Sequence, residues 1–344
     1  MGARNLAPVF VIGSPRSGTT LFYHMLLSAG DFAVYRAEAN VFNMLEPRFG
    51  DPGVARNRDA LLGEWLPSEF FGRSGLDAAE FRARVNAGCQ NAGDFLRIFM
   101  ESITEKQKVR RWSECTPDNL LFIDEIKRTI PDAVFVHIIR DGRDVALSLA
   151  QQGWIRPFSG SPRQKVLASG LFWEWIVAKG REDGRRYAQD YREVSFEELI
   201  TRPRETLATL EPFLEHDLNY DRIQQAGIGS VSRPNTSFQG EVQGTDFNPV
   251  GRWKKSYTAK ELARLESLIG GFLEELGYPL ESPRESLKAN PAEQFLRYLY
   301  RLRFAWRHWL KAGTPLGRVF TNTDLLRDFH AADQDRMEQT QGTR

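Results

Sequence analysis

The sequence predicts an α/β chain of three layers, a parallel β-sheet flanked by helices, with a C-terminal helical extension. Three observations predict it. Pro8 to Leu21 runs from a short apolar stretch, Val9 to Ile12, straight into the glycine-bounded loop Gly13-Ser14-Pro15-Arg16-Ser17-Gly18, and Thr19-Thr20 then open a helix. Val134 to Ile139 is a continuous run rich in β-branched residues, the pattern of a strand buried on both faces. Arg140 stands at the carboxyl end of that run, and Asp141-Gly142 turns the chain into a second helix starting near Asp144.

The remaining elements follow in chain order. The first unit covers Val9 to about Gly30, with Leu21, Phe22, Met25 and Leu26 as the core stripe of its helix. Phe32 to Val34 reads as the second strand, with Glu38 near its end. Glu46 to Gly75, rich in Gly, Pro and charge, reads as a loop-rich insertion. Phe81 to Ile103 reads as a helix, Lys108 to Glu114 leads to a strand end, and Asp118 to Thr129 is a helix before the Val134 strand. Leu167 to Arg186 is a long amphipathic helix with Trp173 and Trp175 in the core. Glu193 to Phe196 is a strand and Pro203 to Glu215 a helix. Gly227 to Val250 has little periodicity and reads as a flexible lid. Ala259 to Leu276 is a helix closed by Gly277 and Pro279. The domain division is 1–280 for the main domain, 281–332 for the helical extension, and 333–344 for a polar, disordered tail.

A glycine-bounded loop opening a helix turns backbone N–H groups toward one point and sets the positive end of the helix dipole there, which suits a phosphate-like oxyanion. The loop nearly matches Gly-x-x-x-x-Gly-Lys-[Ser/Thr]. Gly13, Gly18 and Thr20 fit, but the lysine position is Thr19 and the only cation is Arg16. An ordinary strand-to-helix turn is the plainer reading; Arg16 with Ser17 and Thr20 flanking Gly18 favours a phosphate loop adapted to another nucleotide, in a P-loop NTPase-like fold. Ligands of open α/β sheets bind outside the carboxyl ends of strands, so Arg140 shares an edge with Arg16. Ser148 falls about one turn into the following helix, on the side facing the same anion. Two arginine-bearing strand ends imply a ligand with two separate anionic groups. Surface ion pairs of Arg140 and Arg143 with Asp141 or Asp144 are the plainer alternative.

Ser14-Pro15-Arg16-Ser17-Gly18-Thr19-Thr20, followed by Ile139-Arg140-Asp141-Gly142-Arg143-Asp144 and Ser148, resembles the sulfotransferase superfamily, and within it the tyrosylprotein and bacterial glycan or lipid branches. The resemblance implies the donor 3′-phosphoadenosine 5′-phosphosulfate (PAPS) and no metal. It assigns Arg16, Ser17, Gly18, Thr19 and Thr20 to the 5′-phosphosulfate, and Arg140 and Ser148 to the 3′-phosphate. Softer matches are Glu114-Cys115-Thr116-Pro117, where the family has a lysine at the Cys115 position, Ser195-Phe196-Glu197-Glu198-Leu199, and Gly251-Arg252-Trp253-Lys254 near the nucleotide. Trp253 is the candidate for stacking on adenine, or else packs on the core; Arg252 and Lys254 add contacts to the 3′-phosphate. By position Arg16 stabilises the leaving group. The tyrosylprotein-like branch places its catalytic glutamate where Glu38 falls here; Glu114 and Asp118 are the rival bases. His24 and His137 read as structural.

Composition narrows the classes. The chain has 344 residues, 46 Lys and Arg against 45 Asp and Glu, and two cysteines. A net charge of +1 supplies no field for nucleic acid as a main partner. Cys89 and Cys115 form neither a disulfide framework nor a metal site, which suits a reducing, cytoplasmic compartment. No leader peptide or apolar run long enough to span a membrane is evident. The helix 293–311 interleaves Leu, Tyr, Phe and Trp with arginines. It suits contact with an anionic membrane surface, a homodimer arm, or packing on the main domain. The predicted function is transfer of a sulfuryl group from PAPS to a hydroxyl, or less favourably an amine, of a glycan, lipid or small molecule. Two alternatives stay open: an ATP- and Mg²⁺-dependent P-loop kinase, and a nucleotide-binding subunit without turnover.

Overall fold

The computed structural model describes residues 4–158, 162–229, 248–287, 291–323 and 326. Its centre is a parallel sheet of four strands, β1 (Val9–Gly13), β2 (Ser113–Glu114), β3 (Val134–Ile139) and β4 (Tyr191–Ser195), in the order β2-β1-β3-β4. β1 and β3 pair over their length, from Val9 opposite Val134 to Gly13 opposite Ile138. Side chains alternate between faces along a strand. Phe10, Ile12, Phe135 and Ile139 enter one core, while Val9, Val11, Val134, Val136 and Ile138 enter the other. Both faces are therefore apolar, as helices on either side of a parallel sheet require.

Helix α1 (Thr19–Ala29) covers the second face. The first face is covered by α2 (Ala55–Trp65), α3 (Ala78–Gly88), α4 (Ala92–Gln107), α5 (Gly142–Gln152) and α6 (Pro162–Arg185). Helix α7 (Pro203–Leu214) returns to the α1 side, and α8 (Ala259–Glu275) packs on α5 and α6. The C-terminal α9 (Pro291–Ala312) lies on α6, where Phe304 packs against Phe172 and Trp175. Trp173 is core, as expected: a Cβ on Gly142 would meet its ring at 2.4 Å, so only glycine fits the start of α5.

Several elements differ from the sequence expectations. The second strand is not Phe32–Val34 but the short Ser113–Glu114, and Phe32 makes only a single bridge to Arg111. The reason is local: the Gln107 side-chain amide bonds both backbone groups of Val34, at 2.7 and 2.9 Å, and takes the place of a neighbouring strand. The loop-rich reading of 46–75 is corrected too. That stretch holds α2 and short helices at Glu46–Phe49 and Glu69–Gly72, in which Leu61, Leu62, Trp65 and Phe71 are buried. The single helix over 81–103 is instead α3 and α4, broken where Asn91 caps α4 by accepting from the Asp94 N–H at 2.9 Å. The helix over 118–129 is a 3₁₀ turn, Pro117–Leu121, followed by a short helix, Ile123–Thr129. Most of the lid expected over 227–250, and the tail from Asp333, fall outside the described residues.

Candidate active site

The glycine loop emerges from β1 at the sheet's carboxyl edge. Gly18 has φ of +92°, and a Cβ there would strike the Phe196 ring at 2.3 Å. Gly13 is equally confined, since a Cβ would lie 2.7 Å from the Ile138 carbonyl oxygen. Gly18 is also the N-cap of α1 and supplies no side-chain cap; its carbonyl accepts from the Leu21 N–H at 3.1 Å and the Phe22 N–H at 3.3 Å, which leaves the Thr19 and Thr20 N–H groups without a partner inside the helix. Arg16, between these glycines, holds a left-handed backbone at φ +74°, a conformation that costs a non-glycine residue about 1–3 kcal/mol and marks sites where geometry is imposed.

The two motifs meet directly. Arg16 Nε donates to Ser148 Oγ at 2.9 Å, and Arg140 donates from one terminal nitrogen to the Arg16 carbonyl at 3.0 Å. Arg140 is buried at the end of β3, with its guanidinium 4.7 Å from the centroid of the Phe196 ring, the same ring that floors Gly18. The neighbouring Asp-Gly-Arg-Asp residues have a different task. Asp144 accepts from the Gly251 N–H at 2.8 Å and the Trp253 N–H at 3.0 Å, while Asp141 accepts from Trp253 Nε1 at 3.1 Å. This clamp carries Arg252 to the loop: burial first, then the positive charges of Arg140 and Arg252, lowers the pKa of Arg16. Arg140 thus touches Arg16, and Arg252 is near enough for its charge to act on both. Two polar atoms among them, Ser17 Oγ and Arg140 Nε, are buried with no hydrogen-bond partner among the described residues.

Trp253 takes the packing role of the two open to it. It is buried, with the Arg143 guanidinium 3.8 Å from its ring centroid. Arg143 is structural: it pairs with Asp141 at 2.7 Å and Glu266 at 2.6 Å. Lys254 turns away and pairs with Glu281. Of the loop threonines, Thr19 is buried and Thr20 exposed.

The carboxylates gather on the other side of the loop. Glu38 lies in an irregular segment, not at a strand end, because no strand forms there. It is open to solvent, yet surrounded closely enough that burial, then Glu114, then Asp118 push its pKa up to about 8. Glu114, at the end of β2, is buried and accepts four hydrogen bonds, from the Ala39 N–H, from the Thr116 N–H and hydroxyl, and from the Asn119 amide. The Asn40 N–H is held by Thr116 Oγ1 at 3.2 Å. Glu114 therefore sits where it fastens the Glu38 segment to the sheet. Glu114→Gln places an amide donor against N–H groups it cannot accept from, and is expected to cost about 2 kcal/mol in urea unfolding with nucleotide affinity retained.

Asp118 and Lys311 were not paired by sequence reasoning. Lys311, near the end of α9, acts on Asp118 electrostatically and opposes the burial that raises its pKa. No local pattern marks a partnership across nearly two hundred residues. Phe196, which floors the loop, was signalled only as part of the softer family match Ser195–Leu199, with no role attached to it. Both histidines are structural: burial drives His137, bonded to the Tyr191 hydroxyl, down to about 3, and His24 down to about 4. Cys89 and Cys115 are separate buried thiols. Among the described residues no group of His, Cys, Asp and Glu could hold a metal ion.

A family model described as the sulfotransferase family matches residues 8–220, which takes in β1, the glycine loop, β3, Ser148 and β4. The chain belongs to the sulfotransferase family. Its relatives include the nodulation protein NoeE of Sinorhizobium fredii, 24% identical over 361 residues that cover 97% of this chain and 82% of that protein. The fold is similar to that of the sulfotransferase domain from the curacin biosynthetic pathway, with a TM-score of 0.50, 15% identity, and coverage of 79% of this chain and 98% of that one. The sulfotransferase domain of the Synechococcus PCC 7002 olefin synthase matches with a TM-score of 0.47 and 16% identity, over 89% of this chain and 97% of that domain.

Proposed function

We propose that this sulfotransferase moves a sulfuryl group from PAPS to a hydroxyl of a glycan, lipid or small molecule, leaving adenosine 3′,5′-bisphosphate (PAP). The observation that carries the reading is the contact of Arg16 and Arg140 at the ends of two adjacent strands, with Arg252 brought near them on the segment clamped by Asp144, while Ser17 Oγ and Arg140 Nε have no hydrogen-bond partner among the described residues. Unsatisfied buried donors amid like charges suit a ligand with more than one anionic group.

In this mechanism Glu38 accepts the proton of the acceptor hydroxyl. The hydroxyl oxygen bonds to sulfur as the bond between sulfur and the bridging phosphate oxygen breaks, and the electron pair leaves with PAP. Arg16 and the N–H groups of the loop and of the first turn of α1 receive the charge that builds on that oxygen; such preorganised donors supply most of the stabilisation in transfers of this type. Arg140, Ser148 and Arg252 hold the 3′-phosphate. Glu114 positions Glu38 through Ala39.

Calorimetry with PAP and with ATP, each with and without Mg²⁺, tests the reading. Metal-independent PAP binding is expected. ATP binding that requires Mg²⁺, with PAP no better than AMP, would overturn it. A subunit without turnover predicts intact PAP binding with Glu38 and Glu114 dispensable; the solvent-open position of Glu38, with its pKa near neutrality, favours the enzyme.

A further inference from the structure

Helix α9 has two apolar faces. Its inner face packs on the body of the protein through Tyr300 and Phe304, and Arg297 pairs with Glu174. On its outer face Phe295, Tyr298, Leu302, Trp306 and Trp309, spaced by three and four residues, form one stripe along the helix. Each of the five is between 48% and 61% exposed. Leu316, Val319 and Phe320, just beyond the helix, are also exposed. Scattered exposed leucines need no explanation, but a contiguous aromatic stripe marks an interaction surface.

The charge beside the stripe selects the occupant. Arg301 borders it on one side, Arg303 and Arg307 on the other, and none of the three forms an ion pair among the described residues. The only acid in α9, Glu293, pairs with Arg264. A second copy docked symmetrically on this face would set arginine rims against arginine rims. An anionic lipid surface meets both features, since tryptophans favour the headgroup boundary and arginines the lipid phosphates. No described helix is long and apolar enough to cross a membrane, so the contact lies in the plane of the interface.

We infer that α9 docks the protein peripherally on an anionic membrane, with its aromatic stripe in the headgroup region and its arginines on acidic lipids. The docking stands independently of the sulfuryl-transfer reading.

The test is co-sedimentation of the full chain with vesicles of phosphatidylcholine alone, or of phosphatidylcholine and phosphatidylglycerol in equal parts. Binding is expected to the anionic vesicles and to weaken with added salt. The triple variant Leu302→Gln, Trp306→Gln, Trp309→Gln and the triple variant Arg301→Gln, Arg303→Gln, Arg307→Gln are each expected to lose about tenfold or more in affinity. Both sets are surface changes, so thermal unfolding and PAP binding serve as controls that each variant is folded. No binding to anionic vesicles, or binding unchanged in both folded variants, overturns the inference. A dimer in size-exclusion chromatography that the apolar variant dissociates, with no vesicle binding, overturns it in favour of a second copy.

Discussion

Replacing Glu38 by glutamine is expected to lower kcat by about 10²–10⁴-fold, the range for loss of a general base, while PAP binds as before. The amide keeps the shape of the side chain and removes only its capacity to take a proton. The pH profile provides a second, independent readout. Burial, followed by the charges of Glu114 and Asp118, raises the Glu38 pKa to about 8, so at neutral pH most molecules carry it protonated and inactive as a base. Activity should therefore rise with pH and level off above about 8, and the residual activity of Glu38→Gln should lack that rise. Stability has the opposite sign. The folded-state pKa lies above the unfolded value, so ionising Glu38 costs folding free energy progressively as pH climbs from the ordinary carboxylate range to about 8. The glutamine variant should melt at a higher temperature than the parent at pH 8, and equally below pH 4. Such an exchange of stability for activity is common at reacting groups. A kcat within about tenfold of the parent would transfer the role of base to Asp118.

Arg140→Ala should weaken PAP by about 10²-fold, the scale of losing one partner from a buried charged contact. The guanidinium braces the Arg16 carbonyl as well as facing the anion site, so AMP affinity will also fall, but by less. The discriminating quantity is the ratio of PAP to AMP affinity, which should collapse in Arg140→Ala and recover in part in Arg140→Lys, where the charge returns without the fork of donors. A ratio unchanged from the parent would show that the 3′-phosphate is held elsewhere.

What could be read from the sequence was what local chemistry decides. β1 and β3 are continuous apolar runs, and a strand buried on both faces leaves that trace without help from its neighbours. The glycine loop, Arg140 and Ser148 were singled out for the same reason, and the structure brings Arg16 into contact with both Ser148 and Arg140. What failed depended on partners distant in sequence. Phe32–Val34 has strand chemistry, but a glutamine from the end of α4 occupies its backbone groups. Glu114 was one of the rival bases, and only the fold shows the four donors from two segments that engage it. The sequence left Trp253 open between a nucleotide platform and core packing, and only the fold shows Arg143 on its face. Lys311 reaches Asp118 from the far end of the chain.

The parallel pairing of β1 with β3 has a metric consequence. Gly13 sits opposite Ile138, so the glycine loop and Arg140 leave the sheet side by side, separated by one strand spacing of about 4.8 Å. That interval is set by a ladder of backbone hydrogen bonds and not by flexible side chains. The sheet edge therefore works as a calliper with one jaw on each strand. On the proposed reading, discrimination between nucleotides bearing one and two phosphate-bearing arms becomes a matter of length, gauged by the most rigid part of the molecule.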